Sequence, residues 1–266
     1  MSGSRFVTVI LPTYNEAKNI IPLVEWIERE LIDVAHETLV VDDDSTDGTS
    51  EAIIAAQGNN PNLKIIVRKQ DRGLVPSIRE GLAKATGSIC IWMDADLSMS
   101  PALLPRFIQE IENGADLVLG SRYIPGGGMK GVALHQDTTH LWDIVKNIHY
   151  SEDSLVSALI SKYGNILLRL ILHPAIHDYS SGFFGGSRSF FRANLPEGEF
   201  VDYCITLPYK AIMDGFKVTE IPMMLATRVH GVSKTSETFG SILTIAGRCF
   251  GKAVWLKLTY KPKGIR

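Results

Sequence analysis

Ile89-Cys-Ile-Trp-Met-Asp-Ala-Asp-Leu-Ser98 is the stretch on which the fold turns. Ile89–Met93 is apolar without alternation, as in a strand covered on both faces. Two carboxylates one residue apart, Asp94 and Asp96, follow at once. Ser100 and Pro101 then read as a helix N-cap and first helical position, with a helix running through Phe107, Ile108 and Ile111 to Asn113-Gly114. A buried strand that ends in acid and turns into a helix is half of a β-α-β unit.

The same alternation extends both ways. Phe6–Leu11 reads as a strand, followed by a helix with Ile20, Leu23, Val24, Ile27 and Leu31 on one face. Thr38–Val41 is a second strand, Thr46–Gln57 a helix, Leu63–Val67 a third strand and Pro76–Ala85 a helix stopped by Gly87. Beyond the opening stretch, Asp116–Leu119 is a fifth strand. The pattern predicts an α/β protein with a mostly parallel central sheet, flanking helices and right-handed crossovers.

The chain of 266 residues is long enough for one large domain of this kind or two small ones. A net charge of −2 disfavours a nucleic-acid binder. Cys90, Cys204 and Cys249 have neither zinc spacing nor a disulfide framework, which points to a reducing compartment. The apolar run near the N-terminus is too short for a signal peptide. Leu155–Leu172 contains Lys162 and Arg169; Ile242–Leu258 contains Arg248, Lys252 and Lys257. Neither is expected to cross a membrane, since a span needs roughly 20 mostly apolar residues. Charge is uneven: residues 1–125 carry 11 Lys/Arg against 18 Asp/Glu, while the last 26 residues carry six bases and no carboxylate. That basic tail is either a solvated end or a contact for an anionic surface, at about 1 kcal/mol per base near acidic lipid.

In open α/β sheets, ligands bind at the carboxyl ends of the strands. Here those ends carry Pro12–Glu16, Asp42–Gly48, Asp94–Ser98 and Gly120–Tyr123, so three acidic loops and one arginine share an edge. Like charges at Asp94 and Asp96 repel, and a divalent cation resolves the conflict. Mg²⁺ or Mn²⁺ takes hard oxygens and leaves positions for the oxygens of a diphosphate. There is no P-loop, and Pro12-Thr-Tyr-Asn15 stands where a dinucleotide fingerprint would have glycines.

With these motifs in order, the sequence resembles a known family. LPTYNE at 11–16, VVDDDSTDGT at 40–49, MDADLS at 93–98 and GSRY at 120–123 look like the inverting family 2 glycosyltransferases of GT-A fold. DYSSGFF at 178–184 and RVHGVSK at 228–234 look like their dolichyl-phosphate mannose synthase and polyprenyl-phosphate branch. The resemblance implies a nucleotide-binding, Rossmann-like N-terminal half. It also implies a catalytic domain over 1–236, interrupted at about 133–155, with a basic amphipathic helix and tail over 237–266.

Roles follow by resemblance. Pro12, Tyr14 and Glu16 would line the nucleotide pocket, and Val40 and Asp42 would contact the base and its edge. Asp94 and Asp96 would flank the Mg²⁺ or Mn²⁺, with Ala95 near the ribose and Ser98 near the metal. Arg122 would face the sugar or acceptor, and Arg228 and Lys234 would close on the diphosphate. The implied reaction is an inverting displacement that moves a sugar, mannose from GDP-mannose first, to a polyprenyl or dolichyl phosphate. A UDP-sugar donor or a different acceptor is the alternative. A phosphate acceptor is already anionic and needs no strong base; for a hydroxyl acceptor, Asp178 is the obvious carboxylate, in competition with a structural role.

The middle of the chain departs from the family pattern. The acceptor helix aligns at Ser157–Ser161, where Ser161 keeps a serine and Ser157 replaces an arginine; Lys162 or Arg169 would compensate. His135, His140 and His149 are spaced like no common metal motif. Ile242, Ile245, Cys249, Ala253 and Leu256 recur at helical spacing, as in a helix lying at a lipid interface or packed on the domain or on a dimer partner. The expected setting is the cytoplasmic face of a membrane, held there peripherally or by a membrane-embedded partner subunit.

Overall fold

The computed structural model describes residues 6–129, 152–199, 201–226 and 239–263; for 152–160 and 239–243 it describes the helical backbone alone. The first half alternates as its pattern predicts: β1 (Val7–Thr13), α1 (Ile20–Glu30), β2 (His36–Asp42), α2 (Thr49–Gln57), β3 (Leu63–Val67), α3 (Leu74–Lys84), β4 (Ile89–Trp92), a 3₁₀ turn (Pro101–Leu103), α4 (Leu104–Glu112) and β5 (Leu117–Ser121). There follow β6 (Gly128–Met129), α5 (Glu152–Ile171), β7 (Phe184–Ser187), α6 (Arg188–Ala193), α7 (Asp202–Met213), β8 (Val218–Pro222), β9 (Met224–Leu225) and α8 (Phe239–Thr259). The central sheet has the order β3-β2-β1-β4-β7-β5-β8, and β6 pairs separately with β9.

Every residue of β1 and β2 is buried. Continuous apolar sequence is therefore what these strands require, since helices cover both of their faces. Ile20, Leu23, Val24 and Ile27 turn the predicted face of α1 into one core layer. Val75, Ile78 and Leu82 of α3 fill the opposite layer. Gly81 lets α3 come this close, because a Cβ there would sit 2.4 Å from Ile10 Cγ2. As predicted, Ser100 caps the 3₁₀ turn, its hydroxyl accepting from Ala102 N at 3.3 Å.

Three features beyond the sequence reading have physical causes. β5 does not neighbour β4: β7 lies between them, antiparallel to both. Its sequence, Phe-Gly-Gly-Ser, gives no strand pattern. Its glycines stand where a Cβ would fall 2.8 Å from Phe107 at Gly185 and 2.6 Å from Asp116 O at Gly186, so neighbouring groups fill the space. Second, α2 starts at Thr49 rather than Thr46. Asp42 and Asp47 spend their carboxylates on nearby N–H and hydroxyl groups, holding residues 43–48 as a loop. Third, of the settings left open for α8 the structure takes packing on the domain: Ala253 and Leu256 are fully buried. They join Leu168 of α5, Leu172 just past its end, and Ile205 and Tyr209 of α7 in one apolar cluster. The domain itself covers that face of the helix. Among the described residues no helix is long and apolar enough to cross a membrane.

Candidate active site

The carboxyl ends of β1, β2, β4 and β5 meet the segment entering β7, the start of α7 and β9 around a cleft of about 650 Å³. Because β7 runs antiparallel, its entering end, Ser180–Gly182, lies at the edge where the parallel strands leave the sheet.

Asp94, Ala95, Asp96 and Ser98 all line this cleft. Asp96 is buried, and its Oδ1 accepts from Ser98 N at 3.0 Å, closing a turn in which Leu97 has φ 64°. A left-handed leucine is costly and is held here by the bonds on either side. One of those is the Ser98 carbonyl, which accepts from Ala226 N at 2.8 Å. The backbone at Gly182 comes close to Asp94: a Cβ there would lie 3.6 Å from Asp94 Oδ1 and 3.4 Å from the Tyr203 hydroxyl. Burial pushes the Tyr203 phenol well above its ordinary pKa, so it stays protonated. Two hard carboxylates on one wall suit a divalent cation whose other positions go to phosphate oxygens and water. Among the described residues no cluster of three His, Cys, Asp or Glu forms around a common point.

The β2 loop divides its acids. Asp42 is fully buried and accepts from Ser45 N at 3.0 Å and Ser50 Oγ at 2.6 Å; neither it nor the core residue Val40 lines the cleft. Asp43 lines it instead, accepting from Arg68 Nη1 at 2.7 Å, Ser77 Oγ at 2.8 Å and Gly73 N at 2.6 Å. Asp44 pairs with Arg72 at the rim. Period-two alternation separates them: Val40 points to the layer of α1 and α2, Val41 to that of α3, so Asp43 faces α3 and Asp42 faces α2. Pro12, Tyr14 and Glu16 line the cleft beside Asp43.

Arg122 reaches the cleft from β5 but is not loose there. Its Nε donates to Asp178 Oδ2 and its Nη2 to Asp178 Oδ1, both at 2.8 Å, and its backbone N–H donates to Oδ2 at 3.0 Å. Burial alone would lower the guanidinium pKa and raise the carboxyl pKa; their mutual attraction outweighs burial and moves each the other way, so both stay charged. Glu220 of β8 accepts from the backbone N–H groups of His177 and Asp178 at 3.0 Å, fixing the Asp178 turn. Asp178 is therefore a positioning group rather than an accessible base.

Ser161 and Lys162, expected at the acceptor, do not line this cleft. Ser161 Oγ lies 2.7 Å from the Tyr123 hydroxyl, next in sequence to Arg122, while Asn165 joins the Ser161 carbonyl to Ser180 Oγ. Arg169 donates to the Pro174 carbonyl at the exposed end of α5. Arg228, Lys234, the three histidines, the Ser157 side chain and most of 133–155 lie outside the described residues.

Residues 8–195 match the family model described as glycosyl transferase family 2. The chain belongs to that family. Two family relatives are similar along most of it. A dolichol-phosphate mannosyltransferase of Pyrococcus furiosus is 32% identical over 237 residues, 86% of this chain and 58% of the relative. The chain thus spans a little over half of that protein. A polyprenol monophosphomannose synthase of Mycolicibacterium smegmatis is 32% identical over 235 residues, covering 86% of this chain and 80% of the relative. In fold, the chain resembles glucosyl-3-phosphoglycerate synthase from Mycobacterium tuberculosis bound to Mn²⁺, UDP and phosphoglyceric acid. The TM-score is 0.68 at 17% identity, over 97% of this chain and 80% of that one. A complex of the same enzyme with Mg²⁺ and UDP gives a TM-score of 0.66. The GT-A fold expected of family 2 is the one found. Asp43, Arg72, Ser77 and Tyr203 are among the cleft residues that motif reading did not assign; Arg72 and Ser77 follow a strand end like the others, whereas Tyr203 sits on a helix with no motif.

Proposed function

We propose that the chain is a metal-dependent inverting glycosyltransferase that moves mannose from GDP-mannose to a polyprenyl or dolichyl phosphate. The observation that carries this reading is the meeting in one cleft of the Asp94/Asp96 pair and Arg122, which Asp178 holds from behind. The names of the two relatives point to the same donor sugar and acceptor class.

Asp94 and Asp96 would hold Mg²⁺ or Mn²⁺, with Ser98 beside them; the ion would supply positive charge to the departing diphosphate. Pro12, Tyr14, Glu16, Asp43 and Ala95 would seat the nucleoside. Val40 and Asp42 would support that loop from beneath, a revision of their expected contact with the base. Arg122, its plane fixed by Asp178, would present a rigid cation to the sugar or the acceptor phosphate, which costs little reorganisation as charge moves. Arg228 and Lys234 would add to the positive charge over the diphosphate. Asp178 is buried and paired, so it would not serve as the base, and a phosphate acceptor needs none. Ser161 and Lys162 would act near the acceptor through Tyr123. Such an acceptor places the protein peripherally on a membrane, by its own surface or a membrane-embedded subunit, at the cytoplasmic face.

A UDP-sugar donor is the second reading, favoured by the UDP complexes of the fold relatives and by Ser157 in place of an arginine. A donor panel of GDP-mannose, GDP-glucose, UDP-glucose and UDP-GlcNAc, with Mn²⁺ or Mg²⁺ and a short polyprenyl phosphate, separates the two. Labelled sugar entering the organic phase from GDP-mannose alone is the expected result. Transfer from a UDP-sugar alone supports the second reading, and no lipid product from any donor overturns the acceptor.

A further inference from the structure

Asn165 lies on the buried side of α5, 3% exposed, and both ends of its amide are in use. Oδ1 accepts from Tyr179 N at 2.7 Å. Nδ2 donates to Ser180 Oγ at 2.8 Å and to the Ser161 carbonyl at 2.9 Å. A backbone N–H can only donate, so Tyr179 fixes which way the amide faces and leaves Nδ2 for Ser180. Two of the three bonds therefore leave the helix, and they end on consecutive residues of the 178–182 turn that borders the cleft.

Ser180 carries the connection on to Arg122. Its Oγ accepts from Asn165 Nδ2 and, at 2.5 Å, from Arg122 Nη2, and it donates to Asp178 Oδ1 at 3.1 Å. A hydroxyl has one donor and two acceptor positions, so this one is full. Nη2 has two hydrogens: Asp178 Oδ1 takes one and Ser180 Oγ the other. With Nε on Asp178 Oδ2, three of the five N–H groups of a guanidinium are engaged. Nη1 has no partner among the described residues and keeps the other two. Arg122 and Ser180 line the cleft and Asn165 does not, so Asn165 acts at one remove. Ser161, one turn earlier on α5, bonds the Tyr123 hydroxyl, so the same helix also holds the neighbour of Arg122.

We propose that Asn165 and Ser180 act as one positioning unit for Arg122, holding Nη2 against Asp178 so that the guanidinium meets a bound anion with Nη1. Asp178 by itself fixes the plane of the fork. The second hydrogen of Nη2 is left for the Ser180 oxygen, and Asn165 keeps that oxygen in place. A cation fixed on both sides of its fork has little orientation to lose when an anion arrives. The consequence for transfer rests on the glycosyltransferase reading above; the positioning itself does not.

The test uses the full chain and four variants: Asn165→Ala, Ser180→Ala, their double, and Ser180→Thr. The first readout needs no ligand. It is the rate at which Arg122 Nη2 rotates about its bond to Cζ, followed by NMR of protein labelled with ¹⁵N-arginine, the signal being the one lost in Arg122→Lys. Rotation is expected to be at least about tenfold faster in each alanine variant and near wild type in Ser180→Thr, which keeps the hydroxyl. The second readout is transfer from GDP-mannose to a short polyprenyl phosphate. Each single alanine variant is expected to lose about tenfold in kcat/KM, and the double no more than Ser180→Ala alone, because the two residues act along one path. Additive losses in the double variant, or wild-type rotation in Ser180→Ala or Asn165→Ala, overturn the proposal. Ser180 is exposed to the cleft, so Ser180→Ala is expected to fold even where Asn165→Ala, which strips the partner from the buried Tyr179 N–H, does not. Absence of lipid product from wild type counts against the acceptor reading, and the rotation rates then decide the positioning by themselves.

Discussion

Arg122 and Asp178 form a two-pronged ion pair 56 residues apart in sequence, with both N–O distances at 2.8 Å and the carboxylate fully buried. Removing one partner leaves a buried charge without compensation. Asp178→Ala is expected to cost about 3–5 kcal/mol of stability, measured by urea unfolding. Arg122→Lys keeps the charge but loses the planar fork, and is expected to depress transfer more than it depresses stability. A loss under about 1 kcal/mol in Asp178→Ala would mean that another group holds the guanidinium.

Asp94 and Asp96 are two acids on one wall of the cleft, and the proposed donor reaches them through a cation. Asp96→Ala is expected to weaken Mn²⁺-dependent binding of the nucleotide sugar at least about tenfold in titration calorimetry. Without metal, its thermal midpoint is expected to fall only modestly, because relief of the like-charge repulsion offsets part of the loss of the Ser98 N–H bond. Unchanged metal-dependent binding in this variant would remove Asp96 from the ion's coordination.

Gly182, on the approach to β7, brings its backbone close to Asp94. A Cβ there would lie 3.1 Å from Met99 Cε, 3.4 Å from the Tyr203 hydroxyl and 3.6 Å from Asp94 Oδ1. Met99 is flexible and can give way, so Gly182→Ala is expected to cost only about 1 kcal/mol of stability. Gly182→Val projects further into the cleft and is expected to raise the donor KM several-fold. Equal KM values for Gly182→Val and wild type would place the bound donor away from this wall.

Glu37 lies at the far edge of the sheet and accepts from Lys64 Nζ, Thr8 Oγ1 and both donors of Thr86. Burial by itself would raise its pKa; these bonds outweigh it and bring the group down to about 2 from 4.5. The folded value lies below the unfolded one. Its stabilisation is therefore complete above about pH 4.5 and is lost as pH falls toward 2, by about 2–3 kcal/mol in all. Glu37→Gln should be less stable than wild type at pH 7, and the gap should narrow across that window in denaturant titrations. A constant gap would show that Glu37 does not titrate differently in the two states.

Local pattern reaches as far as contacts near in sequence can carry it. The strands β1 to β5, the buried face of α1 and the Ser100 cap were legible because each depends on residue period or a few adjacent side chains. The positions of Asp94, Asp96 and Arg122 at one edge followed from the rule that ligands gather at strand ends. Which of two adjacent aspartates faces the cleft was not legible: alternation puts Asp42 and Asp43 on opposite faces, but Val40 and Val41 are both apolar and do not say which face is which.

Long-range packing decided the rest. The insertion of β7 between β4 and β5 depends on two glycines whose space is taken by Phe107 and the Asp116 carbonyl, groups distant in the chain. The pairing of Arg122 with Asp178 needs β5 and the β7 approach to be neighbours, and that pairing turns a possible base into a fixed support. Both faces of α8 are apolar, so helical periodicity could not say which one the protein would cover. Sequence alone determined an α/β sheet with an acidic edge and membership of family 2. Tertiary structure alone decided which acids meet in the cleft and which helix face is left to solvent, because burial is a property of neighbours brought together by folding.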